Sequence, residues 1–165
     1  MPNFAAALAR TADGWSAYDL DVTDAKDVEA LGERLRDLDA DADTTVLFVE
    51  EEDQYFAVVR IDADSEDVRV FVSDAATALQ DPPFGTMLVE ETGVPEPPDP
   101  EDAEDAVADD GLIPTGDADL LTDLGTSADA LAELVAHEGM LPGDVVSELA
   151  ARAGCGEELD ALREA

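Results

Sequence analysis

Between Val46 and Val72 the chain sets down three short apolar runs joined by connections too brief to cross a sheet. Val46–Val49 and Tyr55–Ile61 are near-continuous, and Val68, Val70 and Val72 alternate with Arg69 and Phe71. The connections are Glu50-Glu51-Glu52-Asp53 and the turn Asp62–Asp67. Parallel neighbours need a crossover of a dozen or more residues, so three antiparallel strands are predicted.

Upstream, Phe4, Ala6 and Leu8 alternate within residues 3–9. Tyr18, Leu20 and Val22 do so against Asp19 and Asp21 within residues 15–22. Thr11-Ala12-Asp13-Gly14 between them is turn chemistry, which predicts a β-hairpin with one wet face. Val28, Leu31, Leu35 and Leu38 then recur at helical spacing, with Asp24 placed to cap the helix and Asp39–Asp43 to stop it. After the third run, Ser73 or Asp74 caps a short Ala-rich helix that ends before Pro82-Pro83. The order ββαβββα describes an α+β layer sandwich, with a roughly five-stranded, mainly antiparallel sheet and helices on one face.

Three parts are expected: a sheet domain over 1–92, an acidic Pro-rich linker over 93–116, and a helical C-terminal region over 117–165. Residues 94–111 mix Pro with carboxylates and hold few large apolar groups, too few to offset their ordering entropy. Beyond them, Leu120, Leu121 and Leu124 cluster, and Thr126 with Asp129 fits a capping box. Pro142 suits the first turn of a further helix, and Leu159 with Leu162 marks a last one. Such helices are too short to stand alone and must pack on something.

The charge sets the function classes. There are 43 Asp and Glu against 8 Lys and Arg, a formal net of −35. A surface of that sign repels nucleic acid and anionic lipid, so the expected partner is a basic protein surface. GC-rich codon usage or a halophile surface would also yield such a composition, and a salt-adapted scaffold domain is one alternative. Self-repulsion predicts stability that rises with ionic strength. Residues 1–10 have neither the basic stretch nor the apolar stretch of a secretory signal, and no run reaches the roughly 18 apolar residues of a membrane span. A single cysteine, Cys155, permits no internal disulfide. A soluble cytoplasmic protein is the expectation.

Motifs for catalysis are weak. Asp39, Asp41 and Asp43, with Glu50 twelfth from Asp39, match the carboxylate spacing of a calcium loop. Thr44 stands where that loop needs Gly, however, and Val46–Val49 reads as a strand, so a solvated helix-to-strand turn is the better account. Asp62, Asp64 and Glu66 match less well. His137 is the one histidine, near a predicted helix end, and the acidic surroundings of Cys155 disfavour its thiolate. One His and one Cys cannot furnish a deaminase zinc site, and no phosphate-cradling Gly-rich loop or nucleophile elbow occurs. No catalytic residue, cofactor or metal site is assigned. The acidic tract holds the candidate partner-binding residues: Glu101, Asp102, Glu104, Asp105, Asp109 and Asp110.

The opening FAAALARTADGWSAYDLDV, the run TTVLFVEEEDQYFAVVRIDADSEDVRVFVSDAATAL and the Leu/Ala-rich helical tail resemble the actinobacterial tRNA adenosine deaminase-associated proteins. The resemblance covers residues 3–80 closely and 117–163 more loosely. It implies a companion of the enzyme that converts wobble adenosine to inosine in tRNA, with no catalytic residues to carry over. The strand and helix order also resembles roadblock/longin domains, a fold-level analogy that allows a homodimer. The expected function is therefore that of a non-enzymatic acidic accessory protein binding a basic partner, a tRNA adenosine deaminase by the resemblance. The other alternative is a nucleic-acid mimic that inhibits basic nucleic-acid-binding proteins.

Overall fold

A computed structural model describes residues 4–20, 22, 27–39, 41–51, 54–64, 67–80, 84–92, 115–136 and 141–164. The strands are β1 (Phe4–Thr11), β2 (Gly14–Asp19), β3 (Thr44–Glu51), β4 (Tyr55–Asp62), β5 (Arg69–Val72) and β6 (Thr115–Gly116). The helices are α1 (Val28–Leu38), α2 (Ala75–Ala78), α3 (Phe84–Thr92), α4 (Ala128–Ala136), α5 (Pro142–Ala153) and α6 (Gly156–Glu164). A 3₁₀ turn spans Thr122–Leu124. The sheet is open, in the order β2-β1-β3-β4-β5-β6, and every neighbouring pair is antiparallel. The α+β class and the antiparallel sheet are as the strand spacing required.

The sheet is covered on both faces, not on one. Ala5, Ala7, Leu47, Val49, Ala57 and Val59 face α1, α2 and α3. Their alternates Ala6, Leu8, Val46, Phe48, Phe56 and Val58 face the C-terminal helices. A strand buried on both sides has no reason to alternate, which is why Val46–Val49 and Tyr55–Ile61 read as continuous apolar runs. On the second face the rings of Phe56 and Phe71 meet at 6.1 Å and 39°. A tilted aromatic pair of this kind contributes about 1 kcal/mol beyond its buried area.

Local ends depart from the sequence-based expectations by short distances. Helix α1 starts at Val28, not after Asp24, because the Asp27 carboxylate accepts from Ala30 N at 2.7 Å. Helix α4 is capped by Ser127, whose Oγ accepts from Ala130 N at 3.2 Å. The expected cap, Thr126, is fully buried instead. Pro142 does open α5, and Leu141 N donates to Asp144 Oδ2 at 3.2 Å across that first turn. The sixth strand falls in the last two residues of the stretch expected as linker, Thr115 and Gly116, paired with Val72 and Phe71. Residues 93–114, the rest of that stretch, lie outside the described residues.

Two glycines set the C-terminal layer. Gly154 ends α5 at φ +93, a left-handed conformation in which Cys155 N returns to Ala150 O at 2.9 Å. Gly125 follows the 3₁₀ turn at φ +95, and a Cβ there would come within 2.5 Å of Arg152 O. Only glycine lets that turn approach α5 so closely. Among the described residues no helix is long and apolar enough to cross a membrane.

Candidate functional site: an arginine cleft at one end of the sheet

Antiparallel register brings basic side chains from three strands to one end of the second face. Arg60 on β4 lies in a cross-strand row with Leu8, Val46 and Arg69; the next row holds Arg10, Thr44 and Asp62. Three of the chain's eight basic residues thus line a cleft of about 530 Å³, together with Asp62 and Asp123. Arg60 and Arg69 stand directly opposite each other, a like-charge pair that would weaken the sheet if left alone.

The C-terminal segment resolves that repulsion. Arg60 Nη1 donates to Asp123 Oδ1 at 2.5 Å and Nη2 to Asp123 Oδ2 at 2.8 Å, a two-pronged fork. Nη1 also donates to Leu120 O at 2.6 Å, and Nε donates to Asp62 Oδ1 at 3.1 Å. Thr44 Oγ1 donates to the same Asp62 oxygen at 2.8 Å. Arg69 Nε turns the other way and donates to Asp117 Oδ2 at 2.6 Å. Asp117 is held in turn by its own backbone N–H on Val70 O at 2.8 Å and by Asp119 N on its Oδ1 at 3.0 Å. Arg10 forms no ion pair among the described residues, and its guanidinium sits 5.8 Å from the centre of the Trp15 ring. At a partly exposed site that contact is worth about 0.5–1 kcal/mol.

Electrostatics follow the geometry. The hydrogen bond from Arg60 holds the Asp123 carboxyl below its ordinary range, and that from Arg69 does the same for Asp117. The bond to Asp123 raises Arg60 against the desolvation that would lower it. Arg60 is 4% exposed, and a guanidinium so buried is tolerated because its donors are engaged. Carboxylates kept ionised in this way are poor proton donors. The arrangement is suited to holding the C-terminal segment on the sheet.

The residues singled out from sequence take other places. Glu101, Asp102, Glu104, Asp105, Asp109 and Asp110 lie outside the described residues, as does His137. In the calcium-like spacing, Asp39 accepts from Asp41 N at 3.0 Å and from the Tyr18 hydroxyl at 3.4 Å, the contacts of a helix-to-strand turn. Glu50 lies buried six residues along β3 from Thr44, roughly 20 Å at the rise of a strand. Among the described residues no group of His, Cys, Asp and Glu could hold a metal ion. Cys155 is buried, and burial pushes its thiol up to about 12, with Glu158 adding to the effect. The Arg60 clamp was not foreseen. Its one sequence signal is a lone charge inside the apolar run Tyr55–Ile61.

Neither the curated proteins nor the solved structures contain a match. A family model described as Rv3753c-like tRNA adenosine deaminase-associated protein matches residues 3–156, which takes in both faces of the sheet and the clamp. The chain belongs to the Rv3753c-like tRNA adenosine deaminase-associated protein family.

Proposed function

We propose that the chain is a non-enzymatic cytoplasmic accessory protein that binds a basic partner protein, and that the partner is a tRNA adenosine deaminase. The observation that carries this reading is the family match over residues 3–156 in a chain of net charge −35. The family is named for association with the deaminase and not for deamination. An enzyme that grips tRNA presents cationic surface, and a strongly acidic companion is complementary to it. Glu101, Asp102, Glu104, Asp105, Asp109 and Asp110 are the proposed docking residues, a dense run of carboxylate that competes with RNA for such a surface. Charge complementarity of this kind governs on-rate and salt dependence more than affinity.

The test is a calorimetric titration of purified deaminase with this protein at about 0.05 M and about 0.5 M salt. Saturable binding at low salt is expected, weakened at high salt. Changing the six acids to Asn and Gln should weaken it about tenfold at low salt. Absence of binding at low salt, or tight saturable binding of tRNA by this protein itself, overturns the reading.

A further inference from the structure

The two edges of the sheet are finished differently. β6 ends one side with two residues, the second of them Gly116 at φ +106. A strand so short offers little template for another chain. β2 ends the other side with six residues and, among the described residues, pairs with β1 alone. The bond from Leu20 N to Ala5 O, 3.3 Å, sets the phase of that ladder. Bonded pairs alternate along an antiparallel ladder. Ser16 and Tyr18 therefore turn their backbone groups toward β1, while Trp15, Ala17 and Asp19 turn theirs outward.

Among the described residues no backbone hydrogen bond is made on that outer side. Over most of its length the strand also lacks the Pro and the charges that can blunt an edge, and Asp19 is its one charge. Gly14–Tyr18 holds no Pro, no Lys and no other charge, and its residues from Trp15 to Tyr18 are only partly buried. Exposed carboxylates flank it, Asp13 and Asp19 at its ends, and α6, which packs against β2, carries the exposed Glu157 and Asp160. A second copy is a poor occupant. Two chains of −35 repel, and self-pairing centred on Ser16 would set Asp13 opposite the other copy's Asp19.

We propose that the outer edge of β2 is a docking strand for an extended segment of the basic partner, which adds a seventh strand and sets Lys or Arg beside Asp13 and Asp19. Backbone bonds to Trp15, Ala17 and Asp19 hold the segment, and the carboxylates select its charge. The proposal rests on the reading above that such a partner exists.

Two ligands separate the two ideas: purified tRNA adenosine deaminase, and a synthetic octapeptide of alternating Arg and Thr. Amide hydrogen exchange is read at Trp15, Ala17 and Asp19, and affinity is read for D13N/D19N, for A17P, and for E90Q/E91Q. The last removes two charges from the exposed side of α3, which packs against β5 and β6 at the other edge of the sheet. Both ligands are expected to slow exchange at the three amides, with affinity falling about tenfold in D13N/D19N and little in E90Q/E91Q. A17P, which removes an outward N–H that β1 does not use, should also bind weakly; if it does not fold, the charge variants decide. Deaminase bound with the three amides unprotected, or with both charge variants equally weakened, overturns the docking edge and leaves the accessory reading standing. Deaminase that does not bind at all overturns the accessory reading. The octapeptide then decides the edge alone, protection sustaining it and absence of protection ending it.

Discussion

Arg60 and Asp123 stand 63 positions apart in the chain and meet through two hydrogen bonds, 2.5 and 2.8 Å long. One is nearly inaccessible at the end of β4, while the side chain of the other, in the turn before α4, is 58% exposed. The asymmetry decides what each contributes. Asp123 can hydrate when the pair is broken, whereas Arg60 has little access to water and relies on partners that the fold brings to it. Leu120 O and Asp62 supply the remainder.

Breaking this clamp should loosen the whole fold. Asp123→Ala leaves a buried guanidinium with Asp62 and Leu120 O, and the loss of a charged hydrogen-bond pair should lower unfolding stability by about 2 kcal/mol. Arg60→Ala, which also removes packing against the sheet, should lower it by about 3 kcal/mol. Urea denaturation of both single variants and the double variant measures the coupling. A double variant no worse than Arg60→Ala is expected.

Acid should release the same contacts. Asp123 and Asp117 titrate below their ordinary value of 3.8 in the folded protein, each because of its arginine. The unfolded chain therefore binds protons first as pH falls. Their contribution is fully present above that ordinary value and is lost as pH drops through the lowered folded values. Unfolding curves below about pH 4 should show a steeper loss in the wild type than in D117N/D123N. Parallel acid limbs would show that the pairs add nothing.

The second face of the sheet and the C-terminal helices share one apolar core, so they should melt together. Leu149 on α5 is 1% exposed within it, and Leu149→Ala should cost about 2–5 kcal/mol of the stability of the entire fold. Trp15 is the only tryptophan, on β2, with its Nε1 3.8 Å from where a Cβ on Gly154 would lie. Its fluorescence reports the seam between sheet and helices. Fluorescence and far-ultraviolet circular dichroism should give one coincident transition in wild type and variant.

Cys155 should be silent until the fold opens. It is buried and its thiol sits at about 12, so almost no thiolate exists at neutral pH. A maleimide or disulfide reagent, followed by mass spectrometry, should label it only as fast as the C-terminal layer opens. Asp123→Ala should raise that rate by the same factor as it raises the open population. Prompt labelling of the native wild type would contradict the burial.

Much of the architecture was written locally. Apolar runs with acidic turns of four to six residues permit only antiparallel neighbours, and the spacing of Val28, Leu31 and Leu35 permits only a helix with one inward stripe. These features depend on neighbours a few positions away, so they survive without knowledge of the fold. Cap choice between Thr126 and Ser127 did not, because both suit a cap and burial of Thr126 in the layer settled it. Strand β6 was hidden for a related reason: two residues have no periodicity, and their pairing is supplied by β5.

What the amino-acid sequence determined by itself is the order of elements from β1 to α2, the antiparallel class and a net charge of −35. Only the tertiary structure decided that helices cover both faces, that Arg60 and Arg69 face each other across a ladder, and that acids from beyond residue 114 neutralise them. Local patterns are set by steric and solvation preferences of short segments. A clamp between β4 and a turn 63 residues later depends on register and on which face a distant helix covers, and those quantities exist only once the chain has closed on itself.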